Sequence, residues 1–226
     1  MTYDKDTLKR KIAMRFALLP LFLGLLILLP AGTFNFWQVY VYFAVIGGPM
    51  IFVRSYFMKN DPEFLERRMK MKEKESEQKI IVFALRIIFL IGFLVSGFDH
   101  RFGWSNTPAI MVIIADMLVL ASYIFIFYVF KENSYASRVI EVQKNQTVIS
   151  TGPYSIVRHP MYLGALIMFL ATPIALGSYW AIIPFTGVPI SLIFRIINEE
   201  KILSEQLAGY KDYCNKVKFR IIPFLW

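Results

Sequence analysis

Long apolar runs alternate with charged segments along this 226-residue chain. An α-helix needs roughly 20 apolar residues to cross the hydrocarbon core of a bilayer, and most of the runs approach that length. The first run is short unless its helix starts near Ile12. The pattern predicts an all-α membrane protein with about six transmembrane helices, over residues 16–30, 36–57, 80–98, 108–130, 161–176 and 179–197.

The last two runs predict a C-terminal helical hairpin. Only Gly177 and Ser178 separate them, which suits a tight turn between antiparallel helices. Pro184, Gly187 and Pro189 interrupt the second run, so we expect its helix to be kinked or broken.

The chain after this hairpin predicts an amphipathic cytosolic helix. Ile202, Leu203 and Leu207 fall on one side of it, among charged residues. Gly209 is expected to end or bend this helix. The apolar residues 219–226 then predict a return to the membrane surface.

The basic residues predict which ends of the spans face the cytoplasm. Lysine and arginine concentrate in the cytoplasmic segments of membrane proteins. Here 23 of the 25 lie in four segments, and only Arg86 and Arg101 lie elsewhere. We therefore expect both termini and both ends of the C-terminal hairpin on the cytoplasmic side. The four basic segments are residues 1–15, 54–79, 131–158 and 195–226.

Composition agrees with a membrane protein and excludes several other classes. Hydrophobic residues make up 57% of the chain, above the roughly 45–50% that is usual in soluble domains. The net charge of +9 does not indicate nucleic acid as a partner, because the basic residues sit between apolar runs. The single cysteine, Cys214, excludes an internal disulfide, and with only two histidines no Cys/His metal cluster is expected.

The charged segment 54–79 predicts a short helix between two spans. Asp61 suits its N-cap, and Pro62 suits its first helical position. Phe64 and Met69 would let this helix dip into the lipid headgroups as an interfacial helix. A solvated charged connector is the simpler interpretation and the one that we expect.

Asp116 lies inside the fourth predicted span. An acid at such a position is a candidate for function, because burying charge in a membrane is costly. No other charged residue of the sequence is obviously level with it. We therefore expect a structural role for Asp116, as a hydrogen-bond partner of a neighbouring helix.

The polar segment 131–158 predicts two short extended pieces. Residues 139–142 and 147–149 are rich in β-branched residues, which favour extended structure. Lys144-Asn145-Gln146 between them is typical of a turn. We expect a hairpin at the cytoplasmic surface of the membrane.

Residues 152–164 combine turn, charged and aromatic residues directly before an apolar run. Gly152-Pro153 favours a turn, and Pro160 suits the first position of a helix. The helix then begins near His159, and its N-terminal N–H groups provide a site for a carboxylate or phosphate. Arg158 and the His159 ring are expected to point into the same region. The alternative is a membrane-interface cap in which Arg158 binds lipid phosphates.

The far end of the hairpin brings more charge to the same side of the membrane. Arg195 and Glu199 are spaced i,i+4 and project from one helix face, whereas Glu200 is turned about 100° away. Beside the helix start at His159, a buried Arg–Glu pair would form a bipolar pocket. The alternative is an ordinary helical salt bridge, worth about 0.3–0.5 kcal/mol when exposed.

Three motifs follow one another in the C-terminal part of the chain. They are Gly152-Pro153-Tyr154 with Arg158-His159-Pro160-Met161-Tyr162-Leu163-Gly164, then Arg195-x-x-x-Glu199-Glu200-x-x-Leu203, then Gly209-Tyr210-x-x-Tyr213. Together they resemble the isoprenylcysteine carboxyl methyltransferase family, which is similar to the phospholipid N-methyltransferases and, over the same core, to the longer sterol reductases. The resemblance covers roughly residues 131–226.

The resemblance implies a membrane methyltransferase that uses S-adenosyl-L-methionine, held at the cytosolic ends of the last helices. The sequence contains no G-x-G-x-x-G, in agreement with a donor site outside any nucleotide-binding α/β domain. Arg195 would hold the acceptor and, with Glu199, carry the catalysis. The implied donor contacts are Gln143, Gln146, Thr147, Val148, Ile149, Tyr154, His159, Pro160, Met161, Tyr162 and Glu199.

The methyl acceptor stays open between several lipophilic groups. A carboxylate of the prenylcysteine type is favoured, because it is already ionised and Arg195 would align it by a bidentate pair. A phospholipid amine would need to lose a proton, with Glu199 or Glu200 as the base. A small lipophilic thiol is a further alternative. In each case the expected partners are membrane lipids and a lipophilic or lipid-linked acceptor.

Two other classes of protein are weighed against an enzyme of this kind. Residues 47–49, Gly-Gly-Pro, and the interrupted last span would suit a non-catalytic transporter or scaffold. Asp116 alone, however, is too little intramembrane charge for an obvious ion path. A reductase is third, since no nicotinamide site is found. We expect residues 1–130 to form N-terminal transmembrane helices with a cytosolic connector, and residues 131–226 to form the methyltransferase core.

Overall fold

The described part of the chain consists of α-helices joined by short loops. A computed structural model describes residues 5–69, 73 and 75–226, and no β-strand occurs among them. A short 3-10 helix, Gly152–Ser155, precedes α6. The α-helices are α1 (Lys5–Ala31), α2 (Trp37–Asn60), α3 (Pro62–Met69), α4 (Ser76–Phe102), α5 (Ala109–Glu132), α6 (Pro160–Ala175), α7 (Ile182–Phe185), α8 (Gly187–Gln206) and α9 (Tyr210–Lys216).

The predicted all-α membrane fold is confirmed. Four helical stretches are long and apolar enough to cross a bilayer: α2, α4, α5, and α7 with α8 taken together. Two shorter apolar helices, Ala17–Ala31 and Pro160–Ala175, coincide with the remaining two predicted runs. α1 already begins at Lys5, so the first helix is longer than its apolar run.

The C-terminal hairpin forms where it was predicted. Gly177 turns the chain between α6 and α7 with φ of 73°, a conformation that glycine adopts without strain. The second arm is broken at Thr186, between the short α7 and α8. α8 then continues without interruption to Gln206, so the predicted cytosolic helix is the end of the last span and not a separate element. Gly209, with φ of 81°, separates α8 from α9.

Close helix packing holds this hairpin against α4. A Cβ placed on Gly92 would lie 2.3 Å from the ring of Phe185, so only glycine permits the observed approach of α4 to α7. Phe93 packs edge-on against the same ring, with the two centroids 5.9 Å apart. The hairpin is therefore anchored to the N-terminal helices at the start of its second arm.

A second anchor lies at the C-terminal end of α4. Asp99 is almost fully buried and accepts hydrogen bonds from the backbone N–H and the hydroxyl of Ser105, both at 2.6 Å, and from the Ser178 hydroxyl. Thr107 donates to the Gly177 carbonyl at 2.9 Å. We call Asp99, Ser105 and Ser178 the Asp99 cluster; it ties α4, the loop before α5 and the hairpin turn together.

The helix of the charged connector packs on protein, which contradicts the expected solvated connector. Asp61 caps α3 as predicted, accepting from the Phe64 N–H at 2.9 Å. The Phe64 side chain is buried, with its ring centroid 5.1 Å from that of Phe130 on α5. Arg67 and Arg68 donate to main-chain carbonyls of the loop after α5, at 3.0 and 3.1 Å. Arg67 and Arg68 thus bind backbone of the C-terminal part, whereas Glu63 on the same helix stays exposed.

Two further predictions are wrong. Residues 139–142 and 147–149 do not pair as a hairpin; only the turn between them is present, with the Gln146 N–H donating to the Gln143 carbonyl at 3.1 Å. Side chains instead bind backbone groups of this loop: Glu73 accepts from the Ile140 N–H, and Gln146 accepts from the Gln143 N–H. Asp116 is buried, but neither of its oxygens has a hydrogen-bond partner among the described residues, so the expected bond to a neighbouring helix is missing.

Candidate active site

The start of α6 is fixed by the C-terminal segment of the chain. Pro160 occupies the first turn of α6, with His159 as the preceding residue. The backbone N–H groups of Arg158 and His159 donate to the carbonyls of Phe219 and Arg220, at 2.9 and 2.8 Å. The C-terminal segment, which was expected at the membrane surface, thus pairs with the entry to α6 and holds it in place.

Glu200 binds two arginines and a histidine at the start of α6. Its Oε1 accepts from Nε of Arg158 at 2.7 Å and lies 3.1 Å from Nε2 of His159, and its Oε2 accepts from Nε of Arg220 at 2.8 Å. Arg158 also donates to two carbonyls, of Val217 and Lys218. We call Arg158, His159, Glu200 and Arg220 the Glu200 cluster. Arg158 and His159 therefore do point into one region, as expected, but a protein carboxylate already lies there.

Burial and ion pairing act against each other on Arg158. Desolvation lowers the pKa of its guanidinium, but the hydrogen bond to Glu200 and the charge of that carboxylate outweigh it and raise the pKa above the ordinary value. Arg158 therefore stays charged at any pH of interest. The Glu200 cluster is a permanent ionic junction between α6, α8 and the C-terminal segment.

The other face of α8 carries Arg195 and Glu199. Nε of Arg195 donates to the Tyr162 hydroxyl at 2.9 Å, and that hydroxyl donates to Oε2 of Glu199 at 2.7 Å. The predicted Arg–Glu pair is therefore joined through a tyrosine of α6 and is not in direct contact. Glu199 Oε1 has no hydrogen-bond partner within the part of the chain that the structure describes. We call Tyr162, Arg195 and Glu199 the Arg195 face.

The remaining donors of Arg195 bind residues that the sequence did not single out. Its Nη1 donates to Oε1 of Glu73 at 3.1 Å and to Oε1 of Gln78 at 2.9 Å, and its Nη2 donates to the Arg138 carbonyl at 2.7 Å. Glu73 is one of many acidic residues in the connector, and Gln78 is one of several polar residues directly before a span. No spacing rule links either to a position more than a hundred residues away.

A narrow cleft opens between the Arg195 face and the loop after α5. Its cavity volume is about 100 Å³, and it opens to the outside, so a nucleoside-sized ligand would lie partly in its mouth. Most residues implied as donor contacts line it: Gln146, Thr147, Val148, Ile149, Tyr154, His159, Met161, Tyr162 and Glu199, together with Arg195. Gln143 and Pro160 do not line it.

The two predicted glutamines are engaged within their own loop. The Gln143 N–H donates to Oε1 of Gln146 at 2.8 Å, and the Gln143 side-chain amide donates to Glu141 at the same distance. The Gln146 side chain thus closes the turn at Asn145, which has φ of 62°. Their arrangement shapes the backbone that forms one wall of the cleft.

Three tyrosines complete the cleft, and two of them were not assigned a role from the sequence. Tyr154 accepts from Asn133 Nδ2 at 3.0 Å, and burial raises the pKa of its phenol to about 12, so it remains protonated. Tyr213 donates to the Tyr154 carbonyl at 2.7 Å. The Tyr210 hydroxyl is buried without a hydrogen-bond partner among the described residues. Since a buried hydroxyl normally has a partner, Tyr210 is available to donate to a ligand in the cleft.

A second, larger cavity lies on the other side of the Arg195 face. It has a volume of about 370 Å³ and lies between α4, α5, α6 and α8. Its walls carry apolar residues of the spans, such as Phe89 and Phe169, while arginines and Glu73 lie at one end. Five residues line both this cavity and the cleft: Ser137, Val139, Met161, Tyr162 and Arg195. A polar space and an apolar space therefore meet at the same five residues.

Comparison with known proteins identifies what this part of the chain resembles. Residues 110–209 match the model of a family described as phospholipid methyltransferase. Over 92 residues the chain is 30% identical to the Delta(14)-sterol reductase TM7SF2 of Mus musculus, which corresponds to 38% of this chain and 22% of that protein. The chain thus spans about a fifth of the length of that relative.

The family match includes most of the site. It begins in α5 and ends at Gly209, so it contains the Arg195 face and three of the four residues of the Glu200 cluster. It indicates similarity to membrane methyltransferases that use S-adenosylmethionine, in agreement with the class predicted from the motifs. It does not single out the isoprenylcysteine carboxyl methyltransferases among them.

Proposed function

We propose that this protein is an integral membrane methyltransferase that transfers a methyl group from S-adenosyl-L-methionine to a lipophilic acceptor. The observation that carries the proposal is the wall between the polar cleft and the apolar cavity, to which five residues contribute, among them Met161, Tyr162 and Arg195. A donor in the cleft and an acceptor in the cavity would meet at that wall. Such an arrangement brings two substrates of opposite polarity together and excludes water from the reacting atoms.

The residues of the cleft fit S-adenosyl-L-methionine as the donor. Tyr210 offers an unpartnered buried hydroxyl, and Glu199 offers a carboxylate oxygen without a protein partner in the described part of the chain. A carboxylate suits the ribose hydroxyls or the cationic amine of this donor. Val148 and Ile149 add apolar surface and backbone groups for the adenine ring. When bound, the donor supplies a methyl group on a positively charged sulfur.

A carboxylate is the acceptor that we favour. In the reaction, a lone pair of one carboxylate oxygen forms a bond to the methyl carbon. The carbon–sulfur bond breaks, and its electrons stay on the sulfur, so the products are a methyl ester and S-adenosylhomocysteine. No proton moves, because the carboxylate is ionised at neutral pH. Arg195 would hold the acceptor carboxylate, and its Nε donates to the Tyr162 hydroxyl at 2.9 Å, which orients the guanidinium.

A phospholipid amine is the second candidate, favoured by the description of the matched family. An ammonium group must lose a proton before it attacks, so this reaction needs a base. Glu199 is the candidate base, because it has one protein partner, Tyr162. Glu200 is unsuited, since both of its oxygens are bound by cationic side chains. Both versions of the proposal place the cleft, and with it both termini, on the cytoplasmic side.

Binding of S-adenosylhomocysteine to the detergent-solubilised protein tests the donor site. We expect wild-type protein to bind it and Glu199→Gln to bind it more weakly. Glu205→Gln serves as the matched control, because Glu205 lies exposed on the same helix. Absence of binding to the wild type at millimolar ligand would leave the proposal without support. Methyl transfer to an S-farnesyl cysteine, compared with transfer to phosphatidylethanolamine in nanodiscs, then separates the two acceptor classes.

A further inference from the structure

Arg195 is already bound by a carboxylate of the protein itself. The side chains of Glu73 and Arg195 are both buried, and Nη1 of Arg195 lies 3.1 Å from Oε1 of Glu73. The other Glu73 oxygen, Oε2, accepts from the Ile140 N–H at 3.3 Å. Glu73 lies between α3 and α4, outside both helices, and lines the apolar cavity in which we place the acceptor.

This contact leaves no room for a bidentate acceptor on Arg195. Its Nε is used by Tyr162, both hydrogens of Nη1 by Glu73 and Gln78, and one hydrogen of Nη2 by the Arg138 carbonyl. A bidentate pair needs two parallel N–H groups pointing at one carboxylate. An acceptor carboxylate must therefore replace at least one of the present partners.

We propose that Glu73 is a displaceable stand-in for the acceptor: its carboxylate occupies the position on Arg195 that the acceptor carboxylate takes in the complex. The inference rests on the proposed function and identifies the anionic group that the site selects. Glu73 is the partner that exchanges, because replacing one carboxylate by another keeps the charge of Arg195 balanced. Tyr162 and Gln78 are neutral and lie on helices α6 and α4.

The stand-in makes Glu73 a residue that determines specificity. A neutral lipid cannot compensate the buried guanidinium and therefore cannot replace Glu73 without leaving Arg195 unpaired. An anionic amphiphile can do so, and the displaced Glu73 carboxylate finds further positive charge along the same cavity, from Arg68 and Arg86. The resting site is thus closed to neutral lipids and opens to an acceptor that carries its own anionic group, such as a carboxylate.

Two variants test this role through ligand binding. The ligands are N-acetyl-S-farnesyl-L-cysteine and its uncharged carboxamide, and Glu73→Gln is compared with Glu77→Gln. Glu77 is exposed and lies outside the cavity, where it binds Asn198. We expect Glu73→Gln to bind the carboxylate about tenfold more tightly than wild type, because the competing charged hydrogen bond is gone. Carboxamide binding should not change, and Glu77→Gln should resemble wild type for both ligands.

Equal weakening of both ligands by Glu73→Gln would mean that Glu73 only positions Arg195 and would overturn the proposal, as would unchanged affinities. A measurement on the wild type keeps the test independent of how the variant folds. Release of Glu73 removes the acceptor of the Ile140 N–H, so the carboxylate ligand should accelerate hydrogen exchange of that amide, and the carboxamide should not. Unchanged exchange in the presence of bound carboxylate contradicts displacement.

Binding of S-adenosylhomocysteine, measured on the same three proteins, distinguishes failure of the methyltransferase proposal from failure of the proposed role of Glu73. Glu73 does not line the cleft, so we expect the donor product to bind all three proteins alike. If no protein binds it while Glu73→Gln still gains affinity for the carboxylate, the methyltransferase proposal fails and the anion-selective site remains. If all bind it but the carboxylate preference does not change, the stand-in role fails and the methyltransferase proposal remains.

Discussion

Glu199 and Glu200 are consecutive residues of α8, yet they belong to two regions with different electrostatics. Glu200 binds two arginines and a histidine with both oxygens, and these come from the entry to α6 and from the C-terminal segment. Glu199 has one hydrogen bond, from Tyr162, and lines the open cleft. The comparison separates a carboxylate that holds the fold together from one that is available to a ligand. The two residues are of the same type, and they differ in how many protein partners their carboxylates bind.

The largest effect is expected on the free energy of unfolding when Glu200 is replaced, because both of its oxygens are bound within the protein. Glu200→Gln leaves the buried Arg158 and the partly exposed Arg220 without their counter-charge. Removing one partner of a buried ion pair, here Arg158–Glu200, costs about 3–5 kcal/mol of unfolding free energy. The midpoint of thermal unfolding in detergent should fall markedly relative to wild type. Glu205→Gln, on the exposed side of α8, is the control and should unfold like wild type. A variant that keeps the wild-type midpoint would show that the Glu200 cluster is not a structural junction.

Arg195→Ala is expected to affect turnover more than donor binding. We expect methyl transfer to fall about a hundredfold, because the acceptor loses the group that orients it, while affinity for S-adenosylhomocysteine changes about threefold or less. Single-turnover kinetics and equilibrium binding of the same preparation give the two quantities. Equal losses in both would place Arg195 in the donor site and remove its role as the acceptor clamp.

Glu199→Gln should weaken donor binding more than it lowers the free energy of unfolding, the reverse of what is expected for Glu200→Gln. Loss of a charged hydrogen bond to the donor is expected to weaken S-adenosylhomocysteine binding about tenfold. Unfolding free energy should change by less than about 1 kcal/mol, because the glutamine still accepts from Tyr162. Measuring both quantities for both variants tests the comparison directly. A Glu199→Gln protein that loses stability but keeps its donor affinity would reverse the assignment of the two carboxylates.

The smallest effect concerns Cys214, whose environment includes Arg158, Glu200 and Arg220. Burial raises the pKa of its thiol above the ordinary value, so less thiolate is present at a given pH below that pKa. At pH 8 we expect alkylation by iodoacetamide to be several-fold slower than for an exposed thiol. Glu200→Gln should accelerate it by loosening the cluster, and Glu199→Gln should not. Mass spectrometry of the modified peptide against time provides the rates.

The sequence predicted the apolar architecture well, because membrane crossing depends on local composition. All six apolar runs are helical, and the hairpin turn and the break in its second arm lie where glycine and proline were found. The N-cap at Asp61 was predicted from two adjacent residues and is also present. Orientation in the membrane and the division at residue 130 stay predictions.

The polar contacts were predicted less well, because their partners are far apart in the chain. The expected direct Arg195–Glu199 pair is mediated by Tyr162, and Arg195 is balanced by Glu73, 122 positions away. The 139–149 hairpin was predicted wrongly for a similar reason: Glu73, far away in the sequence, binds the Ile140 N–H, and β-propensity carries no information about such a contact. The roles assigned to the donor and acceptor residues also stay predictions.

The unbroken course of α8 past Arg195 makes its length as important as its composition. Each residue added to an α-helix turns everything after it by about 100°. One residue inserted between Arg195 and Glu199 would rotate Glu199 away from the cleft and separate Glu200 from Arg158, His159 and Arg220. Both carboxylates would be retained, but Glu200 would no longer balance the charge of Arg158, and Glu199 would no longer reach a donor in the cleft. Spacing mutants of this helix should therefore be more damaging than most single substitutions at either site.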